Sequence, residues 1–323
     1  MKTAHKVVGL FLVSALALAS GASSAQSYPN KPIKLVTGNA PGGGTDILAR
    51  GIAPKLSERL GQPILVENRP GADGIIASEY VVKSAPDGYT LLVGADGQMV
   101  LNRVLYAKLP YDPVKDFAPI GRLSATPLVI AVHPSVPATS IAELIALAKA
   151  KPGELFYASG FPAAQVATEI LKKEAGVNIV HVPYKGAAPA QTAAIAGEVA
   201  MIMSSLGPLR AHLQSGKLRG LAVTSPERYA IIPDIPTMAE SGLADVDVVP
   251  WTGLFAPAGT PRAIIDRLNS DLAVVLNLEE LKERFGATGV NLSANSPAEL
   301  GALQKADIAK WVKRVNDLKL PVK

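Results

Sequence analysis

Short runs of apolar and β-branched residues alternate along the chain with segments whose apolar residues recur every three or four positions. The first pattern is typical of buried strands and the second of amphipathic helices. The short apolar runs predict strands at 33–37, 63–67, 89–93, 128–132, 155–158, 179–182, 199–203, 220–223 and 253–255. The periodic segments predict helices at 47–60, 74–83, 140–151, 164–175, 189–196 and 296–318, with a further helix starting at 260–261.

Helix boundaries are marked by residues suited to them. Glycine follows three of the predicted helices, at Gly61, Gly176 and Gly197. Two others open with a serine followed three residues later by a glutamate, which is the capping-box pattern. Strand, short glycine-rich turn, helix and strand is the order of βαβ units, and it is clearest around 33–94 and 155–223. We therefore expect two α/β lobes, each with a mostly parallel sheet, and a site at the carboxyl ends of the strands.

Composition narrows the chemistry. The 323 residues are 48% hydrophobic and 18% charged, which is a globular composition. The chain has no cysteine, which excludes disulfides, a thiolate nucleophile, a cysteine metal site and a lipid-modified N-terminal cysteine. The net charge of +5, without any run of lysine and arginine, argues against nucleic acid as a partner.

The N-terminus has the order of a secretory signal. A basic start with Lys2 and Lys6 precedes an apolar run at 7–19, and small residues follow at 21–25. The run is shorter than the roughly 18 to 20 residues that span a bilayer. We expect cleavage near Ala25 and a periplasmic mature protein; an uncleaved membrane anchor is the alternative.

The strongest local signal is a glycine-rich loop between the first predicted strand and helix, defined here as the glycine loop. Its residues are Asn39, Ala40, Pro41, Gly42, Gly43, Gly44, Thr45 and Asp46. Glycines let backbone amides approach a ligand, and a helix N-terminus favours an anion. The loop matches neither the P-loop nor the dinucleotide-binding pattern. Because a bulky phosphate would be repelled by Asp46, a carboxylate is favoured; a first-turn acid that only stabilises its helix is the alternative reading of Asp46.

Catalytic and metal-binding patterns are absent from the sequence. His133, His181 and His212 are scattered and show no metal spacing, and Ser159 lacks the glycine two residues earlier that a nucleophile elbow requires. We therefore expect no enzyme activity, no metal and no cofactor. Lys185 either lines a cleft or is a solvated turn residue, and Ser204 and Ser205 either bind at the cleft or cap the next helix.

Segments throughout the mature chain match one family. They are 28–33, 40–46, 66–72, 86–92, 109–113, 181–186, 216–224 and 251–261, with the sequences YPNKPI, APGGGTD, VENRPGA, PDGYTLL, LPYDP, HVPYKG, GKLRGLAVT and WTGLFAPAGTP. In these segments the chain resembles the Bug-type periplasmic solute-binding proteins of tripartite tricarboxylate transporters. The resemblance implies a two-lobed Venus-flytrap fold of the type II periplasmic kind. Lobe 1 would comprise 26–127 plus 250–323, and lobe 2 would comprise 128–249.

The resemblance also implies a ligand site. The glycine loop would hold a ligand carboxylate from lobe 1. The facing wall in lobe 2 would contain Ser159, Gly160, Phe161, Gln165, Lys185, Gly186, Ala187, Ser204 and Ser205. The loop at 158–165 is about two residues shorter than is usual in the family, with Gln165 near the position of a common histidine. Phe161 adds an apolar face that would suit an aromatic or otherwise apolar carboxylate, unless it packs inward.

The expected function is capture of a small mono- or dicarboxylate by hinge closure. The receptor, a monomer, would deliver its ligand to the membrane permease subunits of a tripartite tricarboxylate transporter. Two alternatives remain open from the residues alone. One is a sensory module that presents its bound state to a signalling receptor, and the other is a secreted α/β hydrolase.

Overall fold

A computed structural model gives the structure of the protein and describes residues 28–318. The chain divides into two units, residues 1–30 and residues 31–323, and only residues 28–30 of the first are described. The predicted signal peptide, residues 1–25, lies outside the described residues. Among the helices within 28–318, none combines the length and the apolar character that crossing a membrane requires.

The strands of the second unit form two sheets. Sheet A contains six strands in the order β11-β4-β10-β3-β1-β2, and sheet B contains five in the order β7-β6-β8-β5-β9. The bounds are β1 Ile33–Thr37, β2 Ile64–Asn68, β3 Thr90–Ala95, β4 Phe117–Ala125, β5 Leu128–Val132, β6 Phe156–Ser159, β7 Val180–Pro183, β8 Met201–Ser205, β9 Arg219–Val223, β10 Trp251–Pro257 and β11 Asn291–Leu292.

Helices connect and flank the strands, as the α/β pattern predicts. Their bounds are α1 Gly44–Leu60, α2 Ile75–Val82, α3 Asn102–Leu105, α4 Ile141–Ala150, α5 Pro162–Ala175, α6 Ala187–Ile195, α7 Leu206–Gln214, α8 Arg262–Leu276, α9 Glu279–Gly286 and α10 Pro297–Leu318. A short 3-10 turn, Ala72–Gly74, precedes α2, and a π-helical turn, Gly97–Leu101, precedes α3.

Each sheet is parallel where it carries the candidate site and antiparallel elsewhere. In sheet A, β1 lies between its parallel neighbours β2 and β3. In sheet B, β6 lies between its parallel neighbours β7 and β8. The strands β4, β10 and β5 run antiparallel to their partners, which the sequence pattern did not predict. The carboxyl ends of β1, β2 and β3 therefore share one edge, and those of β6, β7 and β8 share another.

The helix ends follow the chemistry predicted for them. Gly61 ends α1 in the left-handed conformation with φ 68°, and its N–H donates to the Ser57 carbonyl. Ser140 caps α4 by accepting the Glu143 N–H at 3.2 Å. Helix α5 begins at Pro162, two residues earlier than predicted, because proline suits the first helical position.

The chain passes between the sheets twice, and the two passages lie side by side. The first joins β4 to β5, and the second joins β9 to β10. The Thr126 N–H donates to the Pro250 carbonyl at 2.9 Å, and the Thr224 hydroxyl donates to the Val248 carbonyl at 2.5 Å. The same Thr224 oxygen accepts the Leu128 N–H at 2.9 Å. These bonds tie the ends of the two passages to each other.

Candidate functional site

The glycine loop is held in shape by the carboxylate of Asp46. Asp46 Oδ2 accepts the Gly42 N–H at 2.8 Å, and Oδ1 accepts Arg50 Nε at 2.9 Å and Asn68 Nδ2 at 2.8 Å. Asn68 Nδ2 also donates to the Asn39 carbonyl at 2.9 Å. Because Asp46 is 2% exposed, this network fixes the loop from inside.

The charge state of Asp46 follows from these contacts. Burial by itself raises the pKa of this carboxyl, but hydrogen bonds from Gly42 and Asn68 and the charge of Arg50 outweigh burial and hold the pKa below its ordinary value. Asp46 is therefore an anion that organises the loop. This supports the reading of Asp46 as a first-turn acid, with the added role of accepting a loop amide.

The network limits which amides are left for a ligand. The Gly42 N–H donates to Asp46, and the Gly43 N–H donates to the Ala40 carbonyl at 2.9 Å. The amides of the glycine loop that remain for a ligand are therefore those in the first turn of α1, which begins at Gly44. The first N–H groups of a helix have no partner within the helix and point outward from its positive end. Gly44 is exposed, so the start of α1 is open to solvent.

Two further loops share this edge of sheet A, and sequence reasoning did not assign them to the site. The loop after β2 contains Ala72 and Asp73 with φ 46° and 51°, a conformation that non-glycine residues adopt at a cost of order 1 to 3 kcal/mol. The loop after β3 contains Gln98, whose Nε2 donates to the Gly74 carbonyl at 3.0 Å. In the sequence these two loops were marked only by the family segments at 66–72 and 86–92.

Gln98 joins the three loops of this edge. Its Oε1 accepts the N–H of Ala95, the last residue of β3, at 3.1 Å, while its amide nitrogen donates to the loop after β2. A Cβ placed on Gly38, which follows β1, would lie 2.8 Å from Gln98 Nε2 and 2.7 Å from the Gly74 Cα. The backbones therefore approach closely because Gly38 has no side chain.

On sheet B, the loops after β6 and β7 meet at two glycines. A Cβ placed on Gly160 would overlap the backbone of Gly186 and Ala187. Gly186 has φ 116°, a conformation suited to glycine. The structure thus brings together the predicted residues at 159–161 and at 186–187. They form one group on sheet B, and the glycine loop forms another on sheet A.

The meeting of Gly160 with Gly186 gives a prediction. Replacing Gly160 by alanine is expected to lower the free energy of unfolding by about 1 to 3 kcal/mol, because backbone atoms must move to admit the methyl group. Urea unfolding of the purified protein measures this difference. The control is Gly44→Ala, because a methyl group at Gly44 meets no atom within 4 Å and its φ is not positive. Gly176 also has open space, but its positive φ would add backbone strain to an alanine. Equal stability of the two variants would contradict the packing argument.

Ser159 forms a hydrogen bond that the sequence did not reveal. Its Oγ lies 2.7 Å from His181 Nε2 across the neighbouring strands β6 and β7. The His181 ring stacks on Tyr157, with centroids 4.7 Å apart, and the Tyr157 hydroxyl donates to Glu169 at 2.7 Å. A serine beside a histidine is the pair that a hydrolase needs. Ser159 is only 4% exposed, however, so the geometry favours a structural bond over attack on a substrate.

The other residues predicted to line the site on sheet B differ in how far they are exposed to solvent. Lys185 is exposed in its turn, and Gln165 and Phe161 are half-buried, with Phe161 packed against the main apolar cluster. Ser204 is buried, with Gln191 Nε2 3.5 Å from its hydroxyl. Ser205 occupies the N-cap position of α7. Ser204 therefore faces helix α6, whereas the Ser205 side chain makes no capping hydrogen bond despite its position.

The two edges come together at the start of α5. A Cβ placed on Gly97, which follows β3, would lie 3.7 Å from the ring of Pro162. Pro162 is the first residue of α5, directly after the loop at 159–161.

The described residues contain no group of three or more histidine, aspartate or glutamate side chains arranged to hold a metal ion. The arrangement is suited to binding a small anion between two sets of strand-end loops.

Comparisons with known proteins agree with this architecture. Residues 48–320 match the family model described as "Tripartite tricarboxylate transporter family receptor". The chain is 35% identical to Protein BugT of Bordetella pertussis over 94% of each protein. It is 35% identical to a solved structure described as "R. palustris Rpa4515 with adipate", with a TM-score of 0.87, covering 91% of this chain and 99% of that one.

A second solved structure extends the comparison. MatC from Rhodopseudomonas palustris, with bound malate, is 31% identical, with a TM-score of 0.83, covering 89% of this chain and 100% of that one. The α/β fold with two lobes is confirmed by these likenesses. The resemblance to Bug-type proteins is confirmed as well. The chain belongs to the tripartite tricarboxylate transporter receptor family of periplasmic solute-binding proteins.

Proposed function

We propose that this protein is a periplasmic receptor that captures a small carboxylate and delivers it to the membrane permease subunits of a tripartite tricarboxylate transporter. The observation that carries the proposal is the exposed N-terminus of α1 at Gly44, held in place by the buried Asp46. Free N–H groups at the positive end of a helix are a binding site for a carboxylate.

Relatives support the ligand class. The R. palustris structure similar to this chain holds adipate, and MatC holds malate, both of which are small dicarboxylates. In this chain the ligand carboxylate would accept hydrogen bonds from the first turn of α1. The loops at 159–161 and 185–187 on sheet B would close over the other end of the ligand.

Closure would use the paired passages between the sheets. The proposed lobes are 26–127 plus 250–323, which contain all of sheet A, and 128–249, which contain all of sheet B. Rotation about the segments near Thr126 and Pro250 would change the separation of the two edges, which touch at Gly97 and Pro162, without breaking either sheet. The closed form would present a surface for the permease that the open form lacks.

The proposed location is the periplasm. Export would follow from the predicted signal peptide with cleavage near Ala25, and the receptor would act as a monomer without a cofactor.

Two other functions are further candidates. A sensory role would use the same closed surface to contact a signalling receptor. The hydrogen bond between Ser159 and His181 is the observation that favours a hydrolase, and the burial of Ser159 weighs against it.

One substitution tests the anion site directly. Gly44→Pro removes the N–H at the first position of α1, where proline is tolerated, and Gly43 before it already has the extended conformation that proline requires. We expect Gly44→Pro to weaken carboxylate binding at least about tenfold, because a hydrogen bond to a charged group contributes about 1.5 to 3 kcal/mol. Calorimetric titration with adipate, malate and related acids measures the affinity.

The matched control is Gly44→Ala, which keeps the N–H and has open space for its methyl group. Thermal unfolding first establishes that both variants fold. Ligand at about 100 times its dissociation constant should stabilise the wild type by about 2.7 kcal/mol. Equal affinity of the proline and alanine variants would contradict the assignment to Gly44, and a broad carboxylate panel without any stabilisation would contradict the ligand class.

A further inference from the structure

The carboxyl group of Asp96 lies at the same edge of sheet A as the glycine loop. Asp96 directly follows β3 and precedes the π-helical turn at Gly97. Because β3 is a parallel neighbour of β1, Asp96 and the glycine loop both follow strand carboxyl ends of one edge. Asp96 is only 8% exposed. A buried carboxyl at this position calls for a partner.

The protein itself supplies few hydrogen-bond donors to the Asp96 carboxyl group. Oδ1 accepts the Gly97 N–H at 2.9 Å, and the backbone N–H of Asp96 itself also faces the group. Within residues 28–318, no side chain donates a hydrogen bond to either oxygen. A carboxylate has about four acceptor positions, so most of the acceptor capacity of Asp96 is unused by the described part of the chain.

No neighbouring positive charge neutralises the Asp96 carboxylate in the described part of the chain. The charged group that acts on it is Asp307 of α10, another acid, which accepts Trp251 Nε1 at 2.7 Å. Two cations on the same helix as Asp307, Lys310 and Arg314, both bond to Asp247, at 2.8 and 2.5 Å. Burial, together with the charge of Asp307, raises the pKa of Asp96 to about 7.

Asp96 is close to the loops that would enclose a ligand. Gly97, the next residue, lies against Pro162 at the start of α5, where a Cβ on Gly97 would be 3.7 Å from the proline ring. The loop at 159–161 leads directly into Pro162. Asp96 therefore lies where the edge of sheet A meets the first turn of the sheet B helix, between the two groups of candidate ligand loops.

We propose that Asp96 is a specificity-determining residue that accepts a hydrogen bond from a donor group on the ligand. The cleft would then select a small carboxylate that also bears an ammonium or hydroxyl group over a plain dicarboxylate. This inference rests on the proposed function, because it assumes a carboxylate held at α1. A second ligand carboxylate would meet the charge of Asp96, whereas a donor would satisfy its free acceptor positions.

The two donor chemistries differ in strength. A hydrogen bond between an ammonium and a carboxylate is charge-assisted and roughly twice as strong as a neutral one. A hydroxyl donates without adding charge. At a pH where Asp96 is ionised, the expected order of affinity is aminocarboxylate, then hydroxycarboxylate, then dicarboxylate of the same chain length.

The experiment compares these classes on the purified mature protein by calorimetric titration at about pH 8. The probes are straight-chain acids of four to six carbons in amino, hydroxy, dicarboxylate and unsubstituted forms, with the donor at the second carbon or at the far end. We expect wild type to prefer the best aminocarboxylate over the dicarboxylate of equal length by at least about tenfold. Asp96→Asn should reduce this preference to about threefold or less, mainly by improving dicarboxylate binding.

The control variant is Asp266→Asn, which removes an equal charge from an exposed position paired with Arg262 on α8. It should leave the preference unchanged. A preference that is the same in wild type and Asp96→Asn, or a wild type that prefers the dicarboxylate, would overturn the proposal. Failure of every carboxylate to bind either protein would instead remove the proposed function, and this inference with it.

A second measurement keeps the proposal testable if Asp96→Asn does not fold. In wild type, lowering the pH from about 8 to about 5.5 protonates Asp96, so the preference for the aminocarboxylate should shrink. Asp307 and Asp247, with the cations on Asp247, are the other charged groups facing this region from α10 and the second passage. A preference that stays constant across this range would contradict the role of Asp96.

Discussion

Replacing Asp46 by alanine is expected to lower the free energy of unfolding by about 2 to 4 kcal/mol and to weaken carboxylate binding at the same time. The substitution removes the acceptor of the Gly42 N–H and one of the two acceptors of Asn68 Nδ2. Hydrogen bonds to a charged group contribute about 1.5 to 3 kcal/mol each, and the contribution of the half-exposed Arg50 is discounted for solvent. Urea unfolding and calorimetric titration measure the two effects.

The pH dependence of this effect has a definite sign. The pKa of Asp46 is lower in the folded protein than its ordinary value of 3.8, so its stabilisation is present above about pH 4. It is lost as the pH falls through the folded pKa, and the difference between wild type and Asp46→Ala should then shrink. Asp266→Ala, which breaks an exposed ion pair, should change stability by less than about 1 kcal/mol. A comparable loss in both variants would contradict the network.

Replacing Asp96 by asparagine is expected to stabilise the ligand-free protein at about pH 8, by about 2 to 4 kcal/mol. Burial raises the folded pKa of Asp96 from 3.8 to about 7, aided by the charge of Asp307. Between these two values the folded state holds a proton that the unfolded state has released, so wild-type stability falls as the pH rises. Asparagine retains an acceptor for the Gly97 N–H and has no charge to bury.

The measurement is the free energy of unfolding of wild type and Asp96→Asn at several pH values. Below about pH 4 the carboxyl is protonated in both states, so the difference should reduce to the small effect of an amide replacing a carboxylic acid. The gap should open between about pH 4 and pH 7 and stay constant above. A gap independent of pH would mean that Asp96 is not forced to ionise in a buried site.

Much of the fold could be predicted from local patterns. The strand at 33–37 has its predicted bounds, and Gly61 ends α1, because both depend on neighbouring residues alone. Strand β4 was missed because Pro119 and Gly121 interrupt its apolar pattern, and its pairing with β10 joins distant parts of the chain. Helix α9 was missed because only Leu281 and Phe285 are buried along it.

The site was predictable to a smaller degree. The glycine loop could be found because glycines before a helix are a local signal. Asn68, Gln98 and Asp96 could not, since their roles depend on three strands lying side by side. The bond between Ser159 and His181 was equally hidden, because the two residues are 22 positions apart and meet only through the pairing of β6 with β7. Strand adjacency is the information that the sequence pattern lacked.

The position of β10 in sheet A has a consequence for how the chain reaches its native state. Sheet B uses strands from one continuous stretch, residues 128–223, whereas β10 lies in the middle of sheet A between β3 and β4. As the chain emerges from a ribosome from its N-terminus, sheet B can assemble first. Sheet A, with the glycine loop, lacks its middle strand until residue 257 of 323 has arrived, and it is complete only with β11 at Asn291–Leu292. The half whose first strands emerge first is thus the half that is completed last.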